Sequence, residues 1–128
     1  GNPLCWGIGF ACADAVLEAA DSTPDVHFAC VDNAFSDTPA NVTGVVFRAQ
    51  EPSFMVGYIA AAVSETGKVG FVGGISSEVI DQFQYGYEAG VAYANRVLDK
   101  NVTVTAQYAE SFSDAAKGKS IANKMFDN

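Results

Sequence analysis

Apolar and polar positions along this 128-residue chain follow two rhythms. Short apolar runs stand at residues 5–10 (CWGIGF), 26–31 (VHFACV), 42–48 (VTGVVFR), 68–73 (KVGFVG) and 102–108 (VTVTAQY). Runs of that length suit strands of a buried parallel sheet. Between them apolar residues recur every three or four positions. After residues 68–73, Gly73-Gly74 and the polar turn Ser76-Ser77-Glu78 lead to Val79, Ile80, Phe83, Tyr87, Val91 and Ala94, one face of a long helix. Shorter helices are predicted at residues 14–20, stopped by the turn at 21–25, and at 52–65. In the second of these Pro52 stands in the tolerated first turn and Gly67 is the stop. Ser113 or Asp114 caps a last helix at 115–126.

Strands separated by helices of this length pair in parallel through right-handed crossovers, so the pattern predicts an α/β fold with parallel sheets and flanking helices. Ligands of such folds sit beyond the carboxyl ends of the strands, where helices begin with free N–H groups. The chain opens on a strand and stops after a helix, where a parallel sheet would continue with a strand. It therefore reads as a piece of a longer protein.

Hydrophobic residues make up 49% and charged residues 17%, so apolar surface must be buried against the chain itself or a partner, and self-association is expected. The longest uncharged run, residues 52–64, contains Pro52 and is too short to span a bilayer. No signal peptide is visible. A net charge of −8, with only Lys117, Lys119 and Lys124 loosely clustered on a solvated helix face, argues against nucleic acid. Cys5, Cys12 and Cys30 show no CxxC spacing, and Cys5 and Cys30 read as small buried thiols in strands. The single histidine, His27, stands in a strand-like run, so no metal site is expected.

Gly7-x-Gly9-x-x-Cys12, with Asp32 after the next strand, imitates a dinucleotide fingerprint but lacks its third glycine. Gly73-Gly74 lacks the lysine of a phosphate loop, and no serine elbow or histidine-based nucleophile is present. Neither a cofactor nor an enzymatic activity is expected. Asp14 follows a strand at the start of a helix, where its carboxylate could accept hydrogen bonds from the vicinal hydroxyls of a sugar; the plainer reading is a helix N-cap. Trp6, Phe10, Phe35, Phe83 and Phe112 crowd similar edges, where a flat ligand could stack. Trp6 and Phe83 read as ordinary core. Phe112 lies between Glu110-Ser111 and Ser113-Asp114, just beyond a strand, where little core is expected.

The segments WGIGFACADAV, VVFRAQEPSFMVGYIAAAVSETGKVGFVGGISSEVIDQFQYGYEAGV and YAESFSDAAKGKSIANKMFDN together resemble the basic membrane protein family. These are substrate-binding lipoproteins of ABC importers, similar to the purine nucleoside receptor. Glu51, Ser53, Gly57 and Tyr58 fit the family's FREHEGSYLAG pattern, with Ala49-Gln50 and Pro52 as departures. The resemblance implies a type I periplasmic-binding fold that captures a purine nucleoside between two lobes and docks on a membrane permease. Residues 1–66 would be the later part of the first lobe and 67–128 the beginning of the second, with crossings near 66–68 and 108–112. The implied ligand residues are Asp14 as ribose acceptor, Phe112 as a stacking ring, and Phe10 in the GFxxxDA-like motif. An extracytoplasmic, lipid-anchored parent is implied.

The acidic/Asn/Phe motif of the family's first strand and its later second-lobe residues have no counterpart here, so the chain alone is expected to bind weakly or not at all. Alternatives are a sugar-binding protein of the same fold, a nucleotide-binding α/β enzyme domain, and a lobe of a sugar-repressor-type regulator whose DNA-binding headpiece is missing. Asn41 and Asn101 head sequons that are chance matches in a bacterial protein.

Overall fold

In a computed structural model, which describes residues 1–127, the elements follow the predicted order. Strand β1 (Leu4–Gly7) leads through a 3₁₀ turn (Phe10–Cys12) to α1 (Ala13–Ser22). Then come β2 (His27–Val31), β3 (Val42–Val45), α2 (Gln50–Val63), β4 (Lys68–Gly73), α3 (Glu78–Leu98), β5 (Thr103–Tyr108) and α4 (Ala115–Phe126). Every strand pair is parallel. One sheet has the order β1-β2-β3, with Trp6 opposite Ala29 and Ala29 opposite Thr43; the other pairs β4 with β5, Phe71 opposite Ala106. The fold class is the α/β arrangement expected from the pattern. Asn128, the last residue of the expected second lobe, lies outside the described residues.

The chain forms two compact units, Gly1–Phe47 and Arg48–Asn128. Within the second unit, residues 66–68 connect α2 to β4, and α2 packs at backbone distance on α3. A Cβ placed on Gly57 would meet the Tyr87 carbonyl oxygen at 2.0 Å, one on Gly86 the Gln50 oxygen at 2.4 Å, and one on Gly90 the Phe54 oxygen at 2.0 Å. Ser53 continues this seam by donating from Oγ to the Phe83 carbonyl at 2.5 Å. Small residues on both helices let two backbones touch, and larger ones would hold them apart.

Below that seam Ala61, Tyr87, Val91, Ala94 and Val102 are buried, with Val69, Phe71 and Val104 of the sheet packed against them. The carboxyl end of α2 is closed by Lys100, whose Nζ donates to the carbonyls of Ala61 (3.0 Å), Ala62 (2.5 Å) and Ser64 (3.3 Å). On the other face of β4, Gly70 leaves room for Met125 of α4, whose Sδ would stand 2.8 Å from an added Cβ.

In the first unit, Val16 and Ala20 of α1 pack on Phe28 and Cys30 of β2 and on Val42 of β3. Asn41 closes the end of α1, donating from Nδ2 to the carbonyls of Ala20 and Val26, both at 3.0 Å. This sequon asparagine is a structural residue. Two expectations fail here. Trp6 is not core but 57% exposed, because it points away from the α1 side that Gly7 faces. Cys5 is exposed as well, on a strand that pairs with β2 alone among the described residues; Cys30 alone is the buried thiol. In the second unit Phe83, also expected in the core, is 38% exposed.

Candidate functional site

The carboxyl ends of β4 and β5 carry the most elaborate polar arrangement in the second unit. Gly73 and Gly74 have ordinary negative φ, so these glycines serve space rather than turn geometry. A Cβ on Gly73 would stand 2.6 Å from Cε1 of Tyr108, and one on Gly74 would stand 2.2 Å from Cε1 of Phe112. Two aromatic rings from the end of β5 and the loop beyond it thus lie over Gly73, the last residue of β4, and Gly74 just after it. Phe112 remains 57% exposed. Its loop is held by Ser111, whose Oγ accepts from the backbone N–H groups of Ser113 (3.1 Å) and Asp114 (3.0 Å), and by the left-handed Glu110 (φ 54°). Asp114 caps α4 through the Lys117 N–H at 2.9 Å, as the sequence predicts.

The Tyr108 hydroxyl stands 3.0 Å from Oδ1 of Asp81 and 2.6 Å from Oε1 of Gln84, so one proton faces two acceptors. Gln84 in turn donates to Glu88 (2.7 Å), and Asp81 accepts from Ser76 Oγ (3.1 Å) in the loop after Gly74. Burial, then the Asp81 hydrogen bond and the nearby negative charges, push the Tyr108 phenol up to about 12. The network ties the β4–α3 loop, α3 and β5 together. The α3 N-terminus is capped and acidic: Ser77 Oγ accepts from the Ile80 N–H, and Glu78 and Asp81 occupy the first turn. An anion has little to gain there. Asp81, Gln84 and Tyr108 escaped sequence reasoning, because only folding brings residues 24 and 27 positions apart together.

In the first unit, Phe10 and Asp14 both lie on the connection from β1 to α1. The turn starts at Gly9, whose φ of 96° requires glycine. Cys12 is the cap residue and contributes no side-chain cap, so Asp14 is not the N-cap but a first-turn acid. Its carboxylate is exposed and has no hydrogen-bond partner among the described residues. Phe10 is half-buried in the turn. Phe35, on the β2–β3 connection, instead packs against the core. Among the described residues no group of His, Cys, Asp and Glu could hold a metal ion.

Residues 1–128 match the family profile described as ABC transporter substrate-binding protein, PnrA-like. The chain belongs to the Bmp family. This is a family of substrate-binding proteins, not of enzymes. Basic membrane protein A of Borreliella burgdorferi (strain ATCC 35210 / DSM 4680 / CIP 102532 / B31) is 45% identical over 130 residues, covering 100% of this chain and 37% of that protein. The crystal structure of an ABC transporter system solute-binding protein from Aeropyrum pernix K1 superposes with a TM-score of 0.85 at 30% identity, over 98% of this chain and 36% of that one. A transcriptional activator of the comK gene from Bacillus halodurans shares the fold (TM-score 0.79) at 24% identity, over 99% of this chain and 41% of that one. The chain therefore spans little more than a third of the length of the curated relatives it matches.

Within the Bmp pattern, the run at residues 47–91 carries the packing of α2 on α3. Ser53, Gly57, Gly86 and Gly90 build the α2–α3 seam. Arg48 and Glu51 form an exposed ion pair at 3.0 Å, of the kind that contributes little to stability. No helix among the described residues is long and apolar enough to cross a membrane.

Proposed function

We propose that this chain supplies ligand-gripping residues of an ABC importer's substrate-binding protein and that the ligand is a purine nucleoside. The observation that carries the reading is the mounting of Phe112: an exposed ring, seated on Gly74 and braced by Ser111, at the carboxyl end of a parallel sheet. A rigid exposed aromatic there offers a stacking face for a base. Asp14, exposed and without a hydrogen-bond partner among the described residues, is the acceptor for ribose hydroxyls, and Phe10 adds apolar surface beside it. The parent protein works outside the cytoplasm, held at the membrane by a lipid anchor, and hands its ligand to a membrane permease. On its own this chain binds weakly.

The test is a titration of the ¹⁵N-labelled chain with adenosine, guanosine and inosine up to millimolar concentration, with ribose and glucose in parallel. Amide shifts at Gly74, Ser111 and Phe112 with the nucleosides, lost in Phe112→Ala, are expected. Shifts with the sugars alone would overturn the nucleoside reading in favour of a sugar carrier. No shift at these amides with any nucleoside would remove Phe112 from the site.

A further inference from the structure

Cys12, the cap residue of α1, and Cys30, in β2, meet beside Gly7 of β1. Gly7 lies opposite Cys30 in the sheet register. A Cβ placed on Gly7 would stand 3.2 Å from Cβ of Cys12 and 3.6 Å from Sγ of Cys30, so one point touches both cysteines. A larger residue at position 7 would hold them apart. The Gly9 carbonyl joins them a second time, accepting the Cys12 N–H at 3.0 Å and the Cys30 thiol at 3.8 Å. Cys12 is half-buried and packs against the core cluster to which the fully buried Cys30 belongs. Each sulfur is held loosely. Cys12 Sγ reaches the Ile8 carbonyl at 3.7 Å, and Cys30 Sγ reaches those of Gly9 and Val31 at 3.8 Å. Turning either thiol toward the other therefore sacrifices little. Burial, then Cys12 and Asp32, push the Cys30 thiol up, which keeps it inert on its own.

We infer that Cys12 and Cys30 are a dithiol pair that a low-molecular-weight disulfide oxidises to an internal bridge within the folded chain. The half-buried Cys12 reacts first, since Cys30 has no exposed surface. Its sulfur bonds to one sulfur of the reagent, the reagent's S–S bond breaks, and the released thiolate takes the Cys12 proton. The Cys30 sulfur then bonds to that of Cys12. The mixed disulfide breaks, and the second reagent thiolate leaves with the Cys30 proton. Two protein thiols are oxidised and one reagent disulfide is reduced to two thiols. The raised Cys30 thiol supplies little thiolate at neutral pH, so closure is slow, on the order of minutes to hours. The bridge ties the start of α1 to β2 and so fixes the turn on which Phe10 and Asp14 flank Cys12. The inference is independent of the ligand.

The test uses the full chain carrying Cys5→Ser, which removes the exposed third thiol. It is incubated with glutathione disulfide at neutral pH and followed by intact mass and peptide mapping. The expected product is lighter by two hydrogens, yields a linked Cys12–Cys30 peptide and keeps its circular dichroism spectrum. Its thermal midpoint should rise by several degrees, reversed by dithiothreitol. With Cys30→Ala added, the reaction should stop at glutathione on Cys12. A Cys30-containing chain that also stops there would overturn the inference. So would thiols left unmodified after a day, a bridge between two copies, or a linked peptide that forms only in urea.

Discussion

The ring of Phe112 lies across the α carbon of Gly74, so close that a single methyl group there would stand 2.2 Å from Cε1. Gly74→Ala must push the ring off its seat. Because Phe112 is more exposed than buried, the cost to stability should stay below about 1 kcal/mol. Nucleoside-induced amide shifts at Ser111 and Phe112 should fall severalfold. Thermal unfolding and the same titration, run together, separate the two effects.

The α2–α3 seam should be far less forgiving. A Cβ on Gly90 would overlap the Phe54 carbonyl oxygen at 2.0 Å and the Tyr58 nitrogen at 2.7 Å, both backbone atoms that cannot swing aside. Gly90→Ala is expected to destabilise the second unit by about 2–4 kcal/mol, despite the better helix propensity of alanine. Gly118→Ala, in α4 with open space around it, should be neutral or stabilising. Urea denaturation of the two variants gives the contrast.

Removing the cation that closes α2 has a defined cost. Lys100→Met keeps the aliphatic stem but leaves the carbonyls of Ala61, Ala62 and Ser64 without their donor. A loss of about 1–2 kcal/mol is expected, read as a lowered urea midpoint with an unchanged m-value.

Tyr108 makes stability depend on pH at the alkaline end. Its phenol is raised from 10 to about 12 in the folded chain, so the fold holds the proton more tightly than the unfolded chain does. That contribution is complete below pH 10, declines as pH rises toward 12, and is gone above it. Unfolding free energies of the wild type and Tyr108→Phe should therefore differ by a constant amount below pH 10 and converge between pH 10 and 12. A difference that does not change over this window would mean that Tyr108 is not held by Asp81 and its surroundings.

Local chemistry determined a great deal on its own. The runs KVGFVG and VTVTAQY became β4 and β5, Asp114 became a cap, and Gly67 turned the chain into β4 with a φ of 71°. Such features were legible because strand and helix periodicity, caps and positive φ depend on residues within a turn or two. The Bmp-like motifs were legible too, but what they do in the fold was not. Gly57, Gly86 and Gly90 are small because a second backbone lies against them. Only tertiary structure could place the division at Phe47–Arg48, leave Trp6 and Cys5 in solvent, and bring Tyr108 to Asp81. Burial and close approach are set by what packs against a residue from far along the chain, and no window of neighbouring residues contains that partner.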